Sequence, residues 1–240
     1  MEKYIKHPKN YTIDQLQNHE WDIIELDCTI DHSKMYNWYC SVVENIPEAR
    51  FEVTDKFEKK YFDPTLLKRW YAVSPAKQKD QSAHWWGLQW IKERYDPLPF
   101  VHLANREIFP EINDESFDEY TNPVLSRYRF GEFENLYQNH PDWFKISRLL
   151  VLPKDSGLGV HTDVIFPTVL IRMHIEISIN DQSTWFFGNH CERQYILESG
   201  KVYLINTGVP HAAINYGDTD WVMIHCTPSP ETISEILKHA

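Results

Sequence analysis

The sequence predicts a mainly β fold of the α+β kind, an all-β core with N-terminal helices packed on it, and three observations carry that expectation. Residues 144–227 divide into short strand-like runs separated by turn residues, the signature of a sandwich, barrel or jelly roll. Residues 1–143 mix helical periodicity with weaker strand signals and hold no linker or repeat, so the 240 residues are expected to form a single domain. The charged fraction of 25% and hydrophobic fraction of 42% are those of a globular chain able to bury a core, which excludes a disordered protein.

In chain order, residues 21–28 (WDIIELDC) are expected to form a strand. Asp31 is placed to cap a helix that runs to residue 46 and is stopped by Pro47, with Met35, Trp38, Tyr39 and Val42 on one apolar face. Residues 51–110, with prolines at 64, 75, 97 and 99, read as loops and short elements, and the cluster His84, Trp85, Trp86 and Trp90 reads as core aromatics, with a substrate-facing lid as the alternative use of the same residues. A helix is expected over 123–139, ended by His140-Pro141. Strands follow at 144–152, 169–179, 183–187, 194–197, 201–206, 211–215 and 221–226, while DSGLG at 155–159 reads as a flexible turn. Ser229 caps a closing helix over 229–240, with Pro230 at its first position.

Charge and composition narrow the partners. A net charge of −11 without a basic face opposes binding to a phosphate backbone, so no nucleic-acid partner is expected. There is no apolar run of the ~20 residues that span a bilayer, and MEKYIKHPKN lacks the apolar region of a signal peptide. The chain therefore reads as a cytoplasmic protein with no membrane partner. Cys28, Cys40, Cys191 and Cys226 show neither C-x-x-C spacing nor a disulfide framework and are expected to be free buried thiols.

The chemistry is carried by histidines. In H-x-[DE] on extended backbone, residues i and i+2 lie on one side of the pleat, so a short segment supplies two adjacent metal ligands. Twelve His and 35 acidic residues make the triplet common by chance, and it occurs four times, so context must choose. His140-Pro141-Asp142 lies at a helix end and His190-Cys191-Glu192 follows Gly188-Asn189 in a hairpin, both poor places for a braced metal. His174-Ile175-Glu176 with His225 is a competing set on strands. His161-Thr162-Asp163, with His211 brought from a strand 50 residues later, is the preferred one. Two imidazoles and one carboxylate on one side of a metal leave the opposite positions open, the arrangement of non-haem Fe(II) sites.

Three pieces in order, ISRLLVLPKDSGLGVHTD, LIRMHIEIS and GKVYLINTGVPHAAIN, resemble the aspartyl/asparaginyl β-hydroxylases and the related bacterial proline hydroxylases, within the Fe(II)/2-oxoglutarate oxygenases. The resemblance covers residues 145–227. It implies a double-stranded β-helix (cupin-type jelly roll), with Fe(II) on His161, Asp163 and His211. It also implies 2-oxoglutarate as cosubstrate, with ascorbate as a reductant, and hydroxylation of a small-molecule or peptide substrate. Arg172 and His174, two apart on one strand, would face the cosubstrate, the planar guanidinium suiting a carboxylate. One departure stands out: family members place an Arg ten residues after the distal His, and here that position is Trp221. Arg148, Lys154, Arg193 or Lys201 could serve instead, or His225 from the face of Trp221. The departure also leaves room for a metal-binding jelly roll without 2-oxoglutarate turnover.

Overall fold

The structure, a computed structural model, describes residues 3–6, 11–12, 16, 21–45, 50–53, 83–87, 124, 126–144, 147–154, 156–162 and 171–239. The N-terminal elements are β1 (Tyr4–Lys6), β2 (Ile23–Thr29), α1 (His32–Asn45), β3 (Arg50–Val53), β4 (Ala83–Gly87) and α2 (Gly131–Asn139). Then come β5 (Arg148–Leu152), β6 (Ser156–His161), β7 (Ile171–Ser178), β8 (Ser183–Phe187), β9 (Arg193–Tyr195), β10 (Lys201–Asn206), β11 (His211–Asn215), β12 (Trp221–Cys226) and α3 (Pro230–His239).

The pairings of the last eight strands nest. β8 pairs with β9, β7 with β10, β6 with β11 and β5 with β12, all antiparallel, which makes one long hairpin folded about the β8–β9 turn. Successive pairs alternate between two sheets, and the ladders β7 with β12 and β8 with β11 close the winding. That topology is a double-stranded β-helix, the cupin-type jelly roll. The smaller sheet runs β6-β11-β8-β9. The larger runs β1-β2-β10-β7-β12-β5-β4-β3, so the N-terminal strands extend one sheet on both sides.

Strand alternation decides what each face carries. On β7, Ile171, Met173, Ile175 and Ile177 enter the core shared with α1, and on β12 Val222, Ile224 and Cys226 do the same. The intervening positions, Arg172, His174 and Glu176 on β7 and Trp221, Met223 and His225 on β12, turn toward the space between the sheets. There Leu150, Trp185, Phe187, Tyr203, Trp221 and Met223 form a second core.

The helices seat as their sequences direct. Asp31 Oδ1 accepts the Lys34 N–H at 3.1 Å as the expected cap, and the face Met35, Trp38, Tyr39 and Val42 is buried. Trp38 stacks on Phe133 of α2 with centroids 4.5 Å apart and donates its indole N–H to the Tyr128 carbonyl at 2.8 Å. Ser229 Oγ caps α3 by accepting the Thr232 N–H at 3.2 Å, and Ile233 and Leu237 join the same core.

Several expectations are corrected. The helix expected over 123–139 is a short 3-10 turn at Ser126–Tyr128 followed by α2 from Gly131, where φ is +56°. That left-handed backbone suits glycine and interrupts a continuous helix, and Arg129 spans the break by donating to Glu134 at 2.8 and 2.9 Å. The expected turn at 155–159 falls largely in β6. Gly157 is required there for close approach, since a Cβ would lie 2.5 Å from the Ala213 carbonyl oxygen on β11. The strand expected from residue 144 begins at Arg148, because 141–143 form a 3-10 turn. All four cysteines are free, with Cys191 and Cys226 buried, but Cys28 is only half-buried and Cys40 on α1 is exposed. Trp90 lies outside the described residues, as do the side chains of His84, Trp85 and Trp86. Among the described residues no helix is long and apolar enough to cross a membrane.

Two polar clusters fix the ends of the wound hairpin. Buried Asp22, just before β2, accepts Arg193 Nε at 2.6 Å, Arg193 Nη2 at 3.0 Å and the Tyr195 hydroxyl at 2.9 Å, joining the larger sheet to β9, an edge strand of the smaller. At the far end of β11, buried Asn215 donates to the Leu152 carbonyl at 2.9 Å and the Thr219 carbonyl at 2.7 Å, and accepts from Gly217 N–H at 3.0 Å. His211 stands at the opposite end of that strand.

Candidate metal and cosubstrate site

β6 ends at His161 and β11 begins at His211, and the two residues are direct partners in the ladder. A register shift follows between His211 and Ala213, the kind of local irregularity that re-aims a strand end. The side chain of His161 and all of Asp163 lie outside the described residues. The His211 imidazole is buried, and its Nδ1 is 2.9 Å from the Val209 carbonyl oxygen. A carbonyl can only accept, so Nδ1 carries the proton, and in the neutral ring Nε2 is the nitrogen with the lone pair. The rings of Phe187 and Trp185 flank it at centroid distances of 6.0 and 5.8 Å. Neither flanking ring was singled out from sequence, although S-T-W-F-F places Trp185 and Phe187 on one face of an inner strand.

Across the larger sheet, register aligns Arg148, His225, His174 and Tyr203 on β5, β12, β7 and β10. The His174 and His225 rings are 4.8 Å apart, and His174 Nδ1 lies 3.0 Å from Met223 Sδ. Arg172, the next inward position on β7, donates to the Thr227 hydroxyl just beyond β12. Arg172, His174 and His225 thus share the inner face, as their alternation requires.

The competing metal set is not assembled. His174 Nδ1 is 4.0 Å from Glu176 Oε1, and Glu176 Oε2 instead accepts the Trp221 indole N–H at 2.6 Å. Among the described residues no three His, Cys, Asp or Glu side chains gather in a way that could hold a metal. His190 and Glu192 sit on the β8–β9 hairpin, where Glu192 Oε2 accepts the His190 N–H at 3.0 Å, and the His140 ring stacks on Trp143 at 4.0 Å.

Trp221 is fully buried and engaged with Glu176, so it fills the position where an Arg was looked for. Of the basic alternatives, Arg193 is held by Asp22, and Lys201 Nζ lies 3.2 Å from Glu25. Lys154 is exposed in the turn after β5. Arg148, half-buried and in register with His225, is the one on the inner face beside the imidazoles.

Glu176 itself was not read as a partner of Trp221, because that pairing appears only once β7 and β12 are in register. Its carboxyl is fully buried, and burial pushes its pKa up to about 8, against the opposing effect of the Trp221 hydrogen bond. Glu176 Oε1 and Trp185 Nε1 are buried without a hydrogen-bond partner among the described residues. Each such group costs about 1–3 kcal/mol when nothing meets it.

No protein-family model matches the chain, and no curated protein matches it. Solved structures do. A 2OG-Fe(II) oxygenase family oxidoreductase from Burkholderia pseudomallei aligns at 11% identity over 82% of this chain and 91% of that one, with a TM-score of 0.38. The full-length T7H protein of Neurospora crassa in complex with alpha-KG aligns at 11% identity over 94% of this chain and 84% of that one, with a TM-score of 0.38. A cupin domain from Bordetella pertussis aligns at 17% identity over 35% of this chain and 79% of that one, with a TM-score of 0.28. These superpositions are loose, and the jelly-roll assignment rests on the nested strand pairing.

Proposed function

We propose that this protein is a non-haem Fe(II)/2-oxoglutarate-dependent oxygenase of the aspartyl/asparaginyl β-hydroxylase-like kind, hydroxylating a C–H bond of an amino acid, peptide or small metabolite. The observation that carries this reading is the ladder pairing of His161 with His211 at one end of the smaller sheet. Opposed positions of an antiparallel pair share a face with Cα atoms about 4.5–5.5 Å apart, a separation two ligands of one ion can bridge. The donor set fits the ion: His211 Nδ1 is committed to the Val209 carbonyl, so Nε2 is the nitrogen to ligate, and Asp163 follows His161 at the spacing that supplies the carboxylate.

Bound iron would supply O₂-dependent oxidation of the substrate, coupled to conversion of 2-oxoglutarate to succinate and CO₂. This chain's own residues do the rest. His161, Asp163 and His211 hold the metal, while Trp185 and Phe187 line the ring of His211 and keep water from it. Arg172 and Arg148, beside His174 and His225, place positive charge on the inner face of the larger sheet, which suits an organic acid.

The test is to load the purified protein with Fe(II), ascorbate and 2-oxoglutarate under air and follow succinate, with and without candidate substrates. Succinate production that is lost in His211→Ala is expected. Absence of both iron binding and succinate sinks the proposal. A second reading, a metal-binding jelly roll without turnover, is favoured by the Trp221–Glu176 hydrogen bond, which leaves no basic group at that position. Iron binding with no calorimetric heat from 2-oxoglutarate selects it.

A further inference from the structure

The geometry points to an inner subsite, formed by Glu176 Oε1 from one sheet and Trp185 Nε1 from the other, that hydrogen-bonds a carboxylate of the bound organic acid. This deepens the oxygenase reading and rests on it for the acid's identity. Both side chains are almost wholly buried, at 0% and 2% exposure, and both atoms lack a hydrogen-bond partner among the described residues. They border the same imidazole: Oε1 lies 4.0 Å from His174 Nδ1, and the Trp185 ring centroid is 5.2 Å from that of His174. The Trp185 ring also meets Trp221 edge-on at 5.7 Å and His211 at 5.8 Å, so one indole borders both the Trp221 partner of Glu176 and the His211 imidazole.

The chemistry selects the ligand. Trp185 Nε1 can only donate. With Glu176 buried among Trp221, Met223 and Tyr203, its carboxyl keeps a proton at neutral pH, its pKa being pushed up to about 8. Oε2 is occupied by Trp221, so the acid proton sits on Oε1 and donates. Two donors, one from each sheet and both bordering His174, suit the two oxygens of one carboxylate. The groups facing Glu176 are His174 from β7, Tyr203 from β10, Trp221 and Met223 from β12 with His225 one row along, and Trp185 from β8. The Tyr203 hydroxyl is held above its ordinary pKa, first by burial, with Glu176 among the further causes. Proton balance follows: above the Glu176 pKa the free protein has lost the proton that the complex requires, so binding takes up one proton from solvent.

The test is calorimetry on the full chain loaded with Mn(II), titrated with 2-oxoglutarate, succinate and citrate in buffers of different ionisation heat, at about pH 7 and about pH 9.5. The subsite predicts uptake of about one proton at the higher pH and an affinity that falls roughly tenfold per pH unit above the Glu176 pKa. Glu176→Gln keeps a donor but cannot titrate, so it abolishes the proton uptake and flattens the pH profile. Trp185→Phe keeps an aromatic ring at the position, removes the N–H and weakens binding about tenfold at both pH values. Acid binding that is indifferent to both substitutions overturns the subsite and leaves the oxygenase reading standing. Glu176-dependent binding of succinate or citrate but not 2-oxoglutarate supports the subsite and overturns the oxygenase reading. If none of the three acids binds, both fall.

Discussion

The indole N–H of Trp221 on β12 donates to Glu176 Oε2 on β7 at 2.6 Å, between two sheets and out of reach of water. A carboxyl in that position is stabilised by the hydrogen bond and penalised by everything else about its surroundings. Trp221→Phe keeps most of the ring packing and leaves both carboxyl oxygens unmet, which should lower stability by about 1–3 kcal/mol. Urea unfolding of the two proteins at one pH measures the difference.

The same carboxyl should write itself into the pH dependence of folding. Burial pushes the Glu176 pKa up to about 8 in the folded state, against about 4.3 in an unfolded chain. The folded protein holds the proton more tightly, so this contribution is complete below about pH 4 and is lost as the pH rises to about 8. Glu176→Gln lacks it. Between about pH 5 and about pH 8 the wild-type urea midpoint should fall relative to that of Glu176→Gln, and parallel profiles would contradict the assignment.

Metal content separates His211 from His174. His211→Ala should reduce bound iron to background, because it removes one of three ligands, while His174→Ala should keep it. Elemental analysis of the purified variants decides between the two histidine sets. Iron lost only in His174→Ala would restore the competing one.

Gly157→Ala probes the link between fold and site. The added methyl would meet the Ala213 carbonyl at 2.5 Å, forcing β6 away from β11. Overpacking of this kind costs about 1–3 kcal/mol, and it should also weaken iron binding by disturbing the strand pair that carries His161 and His211. A thermal melt and an iron titration report the two effects separately.

Asp22 holds the guanidinium of Arg193 and the hydroxyl of Tyr195 together. Asp22→Asn removes the charge from a fully buried acceptor whose partner is partly exposed, and roughly 1.5–3 kcal/mol should be lost. The urea midpoint should shift without a change in iron content, since the cluster lies at the sheet edge.

Much of the fold was legible because it is local. The alternation in IRMHIEIS assigned Arg172, His174 and Glu176 to one face, and Asp31 and Ser229 announced their helices through side-chain caps that need only three residues of context. What escaped depends on distant partners. DSGLG looks pliable in isolation, yet Gly157 is a tight-packing glycine whose reason lies on β11. Arg193 reads as a spare cation until Asp22, 171 positions earlier, is placed beside it. Trp221 is a missing Arg from sequence alone and becomes the partner of Glu176 only when β12 lies beside β7.

The atom that fixes the His211 ring is a main-chain oxygen, that of Val209. Substitution at position 209 cannot delete it, so a change of side chain there alters packing against the inner core while leaving the imidazole's acceptor in place. An insertion, a deletion or a reshaped loop ahead of the histidine would move that oxygen away from Nδ1. Engineering that aims to retune this ligand should therefore alter the length of the connection from residue 206 to residue 211 rather than its side chains.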